Sequence, residues 1–324
     1  AKSKSILLLG DFITNEYFLG NSSKLDVDAP IPIVDVYEEK TFSMGAALIA
    51  ESMKNLDLTV MPIGLLGDDR NGKWIKKKFN NLKIPTTSLI TSSDFLTGTE
   101  TRIFVNSFLV SRHDKFQRSK KINKNISTKL YNLIKKEIKN SDAVVVFDYG
   151  YTPLTDEINE LLKNYSEKIP ILISTTGKNY LNFKNSNVLI KMNRNNAQIL
   201  VNDFSNTFKP KKIINEISKI LNLKEILLTI ADDGVIILNK NEILEIPATK
   251  HVRIDPKGIG EIMLSAMCMS LLESSDFAES CKIGNIAAGL AISKGFSSGE
   301  QTYTIKKKEL EIAINEYENW LLEK

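Results

Sequence analysis

Residues 262–272, Ile-Met-Leu-Ser-Ala-Met-Cys-Met-Ser-Leu-Leu, contain no Pro or Gly and are apolar on nearly every face. Such a stretch reads as a helix buried on all sides rather than an amphipathic surface helix. It needs a core large enough to enclose it, and 324 residues suffice for one large α/β domain or two smaller ones. Immediately before it stands Asp255-Pro256-Lys257-Gly258-Ile259-Gly260-Glu261, so a glycine turn opens the buried helix. A helix start leaves backbone N–H groups unpartnered and carries the positive end of the macrodipole, and two glycines let an anion approach that backbone. The outline is a phosphate cradle. Glu261 falls in the first turn, where the same field favours an ionised carboxylate able to take a proton from an attacking hydroxyl. The same residues also suit a plain Gly-rich turn heading a core helix, because short glycine motifs recur without function.

The chain leading to this turn alternates strand and helix signals in a βαβ rhythm. Residues 6–11, Ile-Leu-Leu-Leu-Gly-Asp, read as a buried parallel strand with Asp11 at its C-terminal end, where ligands gather in open α/β sheets. The pattern then predicts a helix over 43–56, a strand over 58–63, a turn over 64–69 and a Lys-rich helix. Further on it predicts a helix over 127–139, a strand over 143–147 ending in Asp148, a helix from 155, and strands over 170–173 and 188–190. A helix over 210–221, a strand over 226–230, a turn over 231–234 and strands over 235–238 and 243–246 lead up to Gly258. Two segments break the rhythm: residues 31–37 alternate around Pro32, and residues 99–110 are rich in β-formers. They are expected to pair with each other outside the main sheet as a small lid. No repeat or low-complexity linker intervenes, so the expectation is one domain over 1–324 with lid segments at about 12–42 and 97–115.

The charge balance, 43 basic against 39 acidic side chains for a formal +4, is spread along the chain and argues against nucleic acid as a partner. His113 and His251 lie too far apart for a histidine metal motif. Cys268 and Cys281 fit a reducing compartment as buried thiols. No apolar run is long enough for a membrane span and the first residues lack a signal-peptide pattern, so a cytoplasmic protein is expected.

Residues 20–34, Gly-Asn-Ser-Ser-Lys-Leu-Asp-Val-Asp-Ala-Pro-Ile-Pro-Ile-Val, are similar to the R-I-S-P-E-A-P-V-P-V stretch of heptose-7-phosphate kinases. Supporting matches are Gly10-Asp11, Gly45-Ala46-Ala47, Phe147-Asp148-Tyr149, the 229–234 loop, the Asp255 to Gly260 turn and Asn285-Ile286-Ala287-Ala288-Gly289. Over nearly its whole length the chain resembles the ribokinase-like, or phosphofructokinase-B, carbohydrate kinases. The resemblance implies an α/β fold, a three-layer αβα sandwich with a mostly parallel central sheet and a small β-sheet lid. It implies transfer of the γ-phosphoryl group of ATP to a sugar or sugar-phosphate hydroxyl, with Mg²⁺ bridging the phosphates. It assigns Glu261 as base and Gly258, Ile259 and Gly260 to the anion hole. It places Asp11, Asn15, Gly45, Arg102, Arg112 and Asp255 on the sugar, and Asn193, Thr229, Asp232, Gly234, Asn285 and Gly289 on the nucleotide. Asn193 and Asn196 fall beside the metal. It further implies a homodimer clasped through the lids. The start at Ala1 rather than Met accords with a cut chain and with a fused or partner nucleotidyltransferase.

Against the family pattern, Glu261 replaces Asp, and one added methylene moves the carboxylate by about 1 Å, a shift able to cost about 100-fold in rate. Ile259 replaces a small residue, Met44 the first glycine of a pair, Asn15 a sugar-side acid, and Ser174-Thr175-Thr176-Gly177 an Asp-Pro-Lys-Gly. Asn196 stands where a hard dication prefers Glu, and Glu100 stands where a phosphate prefers Lys. Two functions of different class follow: an active sugar kinase, or a degenerate kinase fold that binds nucleotide or sugar phosphate, or a partner, without chemistry.

Overall fold

The computed structural model describes residues 4–117, 123–152, 154–204, 209–248, 258–273, 275–298 and 304–322. The strand β1 (Ser5–Gly10) sits deep in the main sheet, with Ile6 and Leu8 in one core and Leu7 and Leu9 in the other. Burial on both faces explains why the run is continuously apolar rather than alternating. The chain proceeds through β2 (Phe12–Asn21), β3 (Asp35–Gly45), α1 (Ala46–Asn55), β4 (Thr59–Gly67), α2 (Arg70–Asn81), β5 (Leu89–Ser92), β6 (Thr99–Val105) and β7 (Phe108–Lys115). It continues with α3 (Lys124–Glu137), β8 (Ala143–Phe147), α4 (Asp156–Tyr165), β9 (Ile171–Ser174), β10 (Leu189–Asn193), α5 (Arg194–Val201) and α6 (Pro210–Leu221). Then follow β11 (Glu225–Thr229), β12 (Val235–Asn239), β13 (Glu242–Ile246), α7 (Ile259–Leu272), α8 (Phe277–Ser298) and α9 (Lys307–Leu322).

The large sheet has the order β13-β12-β11-β10-β9-β8-β1-β4-β5. It is parallel except for the antiparallel pairs β11–β12 and β12–β13. Buried residues of α1, α2, α7, α8 and α9 pack on one face, and those of α3, α4, α5 and α6 on the other. The result is a three-layer αβα sandwich. Local chemistry sets the helix ends: Asp69 caps α2 by accepting from Gly72 N at 2.7 Å, and Pro210 opens α6, which closes on Asn222 in the left-handed region. The apolar stretch forms α7, buried continuously from Glu261 to Ser270. Each fully buried Leu or Met there contributes roughly 1.5–3 kcal/mol. Among the described residues no helix is long and apolar enough to cross a membrane.

A second sheet, β3-β2-β6-β7, stands apart from the first. Here the structure corrects the sequence reading. The 31–37 and 99–110 segments do not pair, because β2 lies between β3 and β6. Nor is 99–110 one strand: Asn106 and Ser107, with φ of 49° and 71°, turn it into the β6–β7 hairpin. β3 starts only at Asp35 and runs to Gly45, so α1 begins three residues later than expected. β4 continues through Gly67 and the chain turns at Asp68-Asp69, because the 64–67 glycines sit in extended pairing with β5.

Candidate active site

A cleft of about 430 Å³ opens beside the C-terminal ends of β8, β9, β10 and β11. Thr229, Gly234, Val235, Asn285, Ala288 and Gly289 line one end, and Tyr149, Lys191, Ile259, Gly260 and Glu261 the other. Of the residues expected at the nucleotide, Asn193, Thr229, Gly234, Asn285 and Gly289 all reach this cleft. Asp255 lies outside the described residues, as does the side chain of Asp232, whose backbone sits in a short 3₁₀ turn over Ala231–Asp233. Asn285 donates to Pro247 O at 2.9 Å, which ties α8 to the segment after β13.

The glycine turn meets the cleft at the start of α7. Gly258 is the N-cap at φ 86° and gives the helix no side-chain cap; the Glu261 amide meets its own carboxyl, which leaves the amides of Ile259 and Gly260 for a ligand. Glu261 is 4% exposed, and its Oε1 accepts from Gly45 N at 3.2 Å. That contact fixes the carboxyl at the junction of α7 and α1. Burial pushes the Glu261 carboxyl up, against the Lys191 charge and the Glu261 and Gly45 amides that pull it down.

Lys191, to which the sequence reading assigns no role, lies 8% exposed on β10 between the buried Ile190 and Met192. Its Nζ sits 2.5 Å from the point where a Cβ on Gly260 would stand, so a side chain there would have to displace the lysine end. Burial pushes this ammonium down and Glu261 pulls it back up. The available signal was a lone charge inside a strand whose neighbours are buried on both faces.

The metal-side residues are engaged elsewhere. Asn193 caps α5 by accepting from Asn196 N at 2.8 Å, while Asn196 accepts from Gly177 N and donates to Thr175 O, both at 3.1 Å. Among the described residues no three His, Cys, Asp or Glu side chains converge to hold a metal. Two neutral amides already bonded to the protein do not fit a divalent cation.

The acceptor side is arranged differently. Asp11 accepts from three backbone amides, Tyr149 N at 2.7 Å, Tyr151 N at 3.2 Å and Thr152 N at 2.5 Å. Burial and the nearby Asp148 push the Asp11 carboxyl up to about 7 against those donors. Asp148 is itself raised by burial, against bonds from Thr175, Gly150 and Asn179. Parallel pairing of β2 with β6, and antiparallel pairing of β6 with β7, sets Asn15, Glu100, Arg102 and Arg112 on one face of the small sheet. Glu100 pairs with Arg102 at 3.2 Å and with Arg112 at 2.7 Å, and Arg112 also pairs with Asp114 at 2.7 Å. Two atoms on that face, Asn15 Oδ1 and Arg102 Nε, are buried without a partner. Tyr149 stands between the two sides: burial first, then Glu261, Glu100 and Asp11, push its phenol well above the usual value.

The family model described as pfkB family carbohydrate kinase matches residues 44–301. The chain belongs to that family. The pfkB match covers β6 and β7 of the small sheet, the glycine turn and the cleft lining, while β2 and nearly all of β3 precede it. Among curated relatives, the bifunctional protein HldE of Helicobacter pylori (strain HPAG1) is 28% identical over 298 residues, covering 90% of this chain and 63% of that protein. HldE of Aliarcobacter butzleri is 25% identical over 324 residues, covering 99% of this chain and 66% of that protein. The pfkB-family chain thus spans less than two thirds of the Helicobacter relative's length. Arabidopsis thaliana ribokinase complexed with ribose and ATP has the same fold at TM-score 0.71 and 15% identity, over 96% of this chain and 98% of that one. Escherichia coli phosphofructokinase-2 in complex with substrates and products shares it at TM-score 0.74 and 13% identity, over 96% and 98%.

Proposed function

We propose that this pfkB-family chain transfers the γ-phosphoryl group of ATP to a hydroxyl of a sugar or sugar phosphate, with heptose 7-phosphate as the acceptor class favoured by residues 20–34. The observation that carries the reading is the uncapped, glycine-opened start of α7 at the cleft, with Glu261 in its first turn. The acceptor oxygen bonds to the γ-phosphorus as the bond to the β–γ bridging oxygen breaks, and ADP leaves. Glu261 takes the hydroxyl proton, while the α7 amides and macrodipole stabilise charge on the transferring group. Mg²⁺ enters only as a counter-ion carried by the nucleotide. A cytoplasmic location goes with this reading, since ATP is the donor and both cysteines are free thiols.

A second reading, nucleotide binding without turnover, is favoured by the three amides that occupy Asp11 and by the raised Glu261. The deciding experiment is ATP consumption with a panel of sugars and heptose phosphates. Acceptor-dependent ADP formation supports transfer, and ATP binding without it supports the second reading. Two partners belong to the proposal. One is a second copy docked on the small sheet, where Tyr37, Phe108, Leu109 and Val110 are exposed. The other is a nucleotidyltransferase on the same or a separate chain.

A further inference from the structure

The start of α7 presents a cationic conjunction that no ion pair neutralises among the described residues. The helix N-terminus carries partial positive charge on uncapped amides, and the Lys191 ammonium is packed against the same turn, 2.5 Å from the Cβ position of Gly260. A cation placed at the positive end of a helix is unfavourable unless an anion joins them. Lys191 is 8% exposed, faces the cleft, and has no hydrogen bond or ion pair among the described residues. Glu261 influences it electrostatically without pairing, and its own carboxyl is drawn toward the neutral form. A phosphate at the cleft end of the turn would supply the negative charge that no described residue pairs with this ammonium.

We propose that Lys191 is the phosphate-binding cation of this site and supplies charge that carboxylate-held divalent metal would otherwise supply, so that ATP binds with little dependence on divalent cations. The inference rests on the nucleotide-site reading above. It follows from two observations together: a buried, unpartnered ammonium aimed at the glycine turn, and a metal side made of amides already bonded to the protein. Lysine serves phosphates as a point charge and needs no octahedral ligand set, which is what this cleft can offer.

The test is calorimetric titration of the full chain with ATP, adenosine and inorganic tripolyphosphate, each in Mg²⁺ and in EDTA, for wild type, Lys191→Met and Lys191→Arg. Wild type is expected to lose less than about threefold in ATP affinity on removal of Mg²⁺. Lys191→Met is expected to lose at least about tenfold for ATP and tripolyphosphate while binding adenosine normally, and Lys191→Arg to recover part of that loss. Unchanged adenosine binding shows that the variant is folded with an intact adenine end. ATP affinity unaltered by Lys191→Met, or wild-type ATP binding that collapses in EDTA, overturns the inference while leaving the nucleotide site standing. Failure of wild type to bind ATP under any condition overturns both.

Discussion

The donor and acceptor sides of the site, which meet at Tyr149, use their charged groups in opposite ways. On the donor side Lys191 has no ion pair among the described residues and the start of α7 has no side-chain cap, around an open cleft. On the acceptor side Asp11 is held by three amides, and Glu100 is held by two arginines. Unsatisfied buried charge costs stability and is retained where a ligand completes it, whereas an internally closed network holds a fold together. Ligand demand is therefore charged on the donor side, at Lys191 and the glycine turn, while on the acceptor side it is confined to two buried atoms without a partner, Asn15 Oδ1 and Arg102 Nε. Arg102 and Arg112 meet a substrate anion only in competition with Glu100.

The comparison is open to attack from its largest expected effect downward. Glu261→Gln, which keeps shape and removes the base, is expected to lower acceptor-dependent turnover at least about 100-fold with ATP affinity kept, read by coupled ADP release. If turnover persists, the proton goes elsewhere. Next, Glu100→Ala leaves Arg102, 3% exposed, as an uncompensated buried cation and is expected to cost roughly 3 kcal/mol in urea unfolding. A negligible cost would mean that the acceptor network is not closed.

The third effect is on pH. The Asp11 carboxyl is raised to about 7 in the folded state, so the folded chain holds this proton more tightly than the unfolded one. The stabilisation is complete below the unfolded value near 4 and is lost as pH rises through about 7. Urea midpoints at pH 5 and 8 should show a fall of roughly 2 kcal/mol, flattened in Asp11→Asn.

Lys191→Met should act in the opposite direction from Glu100→Ala. Replacing an unpartnered buried ammonium with an apolar chain of similar length is expected to stabilise the free protein by about 1 kcal/mol. Destabilisation would place Lys191 in the structural class. Smallest of all is Phe108→Asp, at 76% exposure: under about 0.5 kcal/mol on monomer unfolding, but loss of any dimer in sedimentation. A dimer indifferent to this charge would place its interface away from β7.

How legible these two sides were from the residues also differs. β1 and α7 announce themselves because burial on all sides leaves continuous apolar runs, and the glycine turn announces the cleft. β2 was hidden because Phe12 follows Asp11 with no intervening turn residue. The β6–β7 turn was hidden because Asn106-Ser107 is a weaker hairpin signal than Asn-Gly. Lys191 lies 67 residues before Gly258 (258 − 191), and only the parallel register of β10 brings it to the α7 start. The upward push on the Glu261 carboxyl was hidden because a helix field is readable from position, while desolvation is a property of the packed interior.

The most direct measurement is ³¹P NMR of ATP with wild type and Glu261→Gln in the presence of unphosphorylated sugars and heptose phosphates. Wild type is expected to convert the γ-phosphate resonance into a phosphomonoester resonance with at least one acceptor, with Glu261→Gln slower by about 100-fold or more. A γ-phosphate signal that persists with every acceptor while ATP is bound, or that yields only inorganic phosphate, would contradict phosphoryl transfer to a sugar.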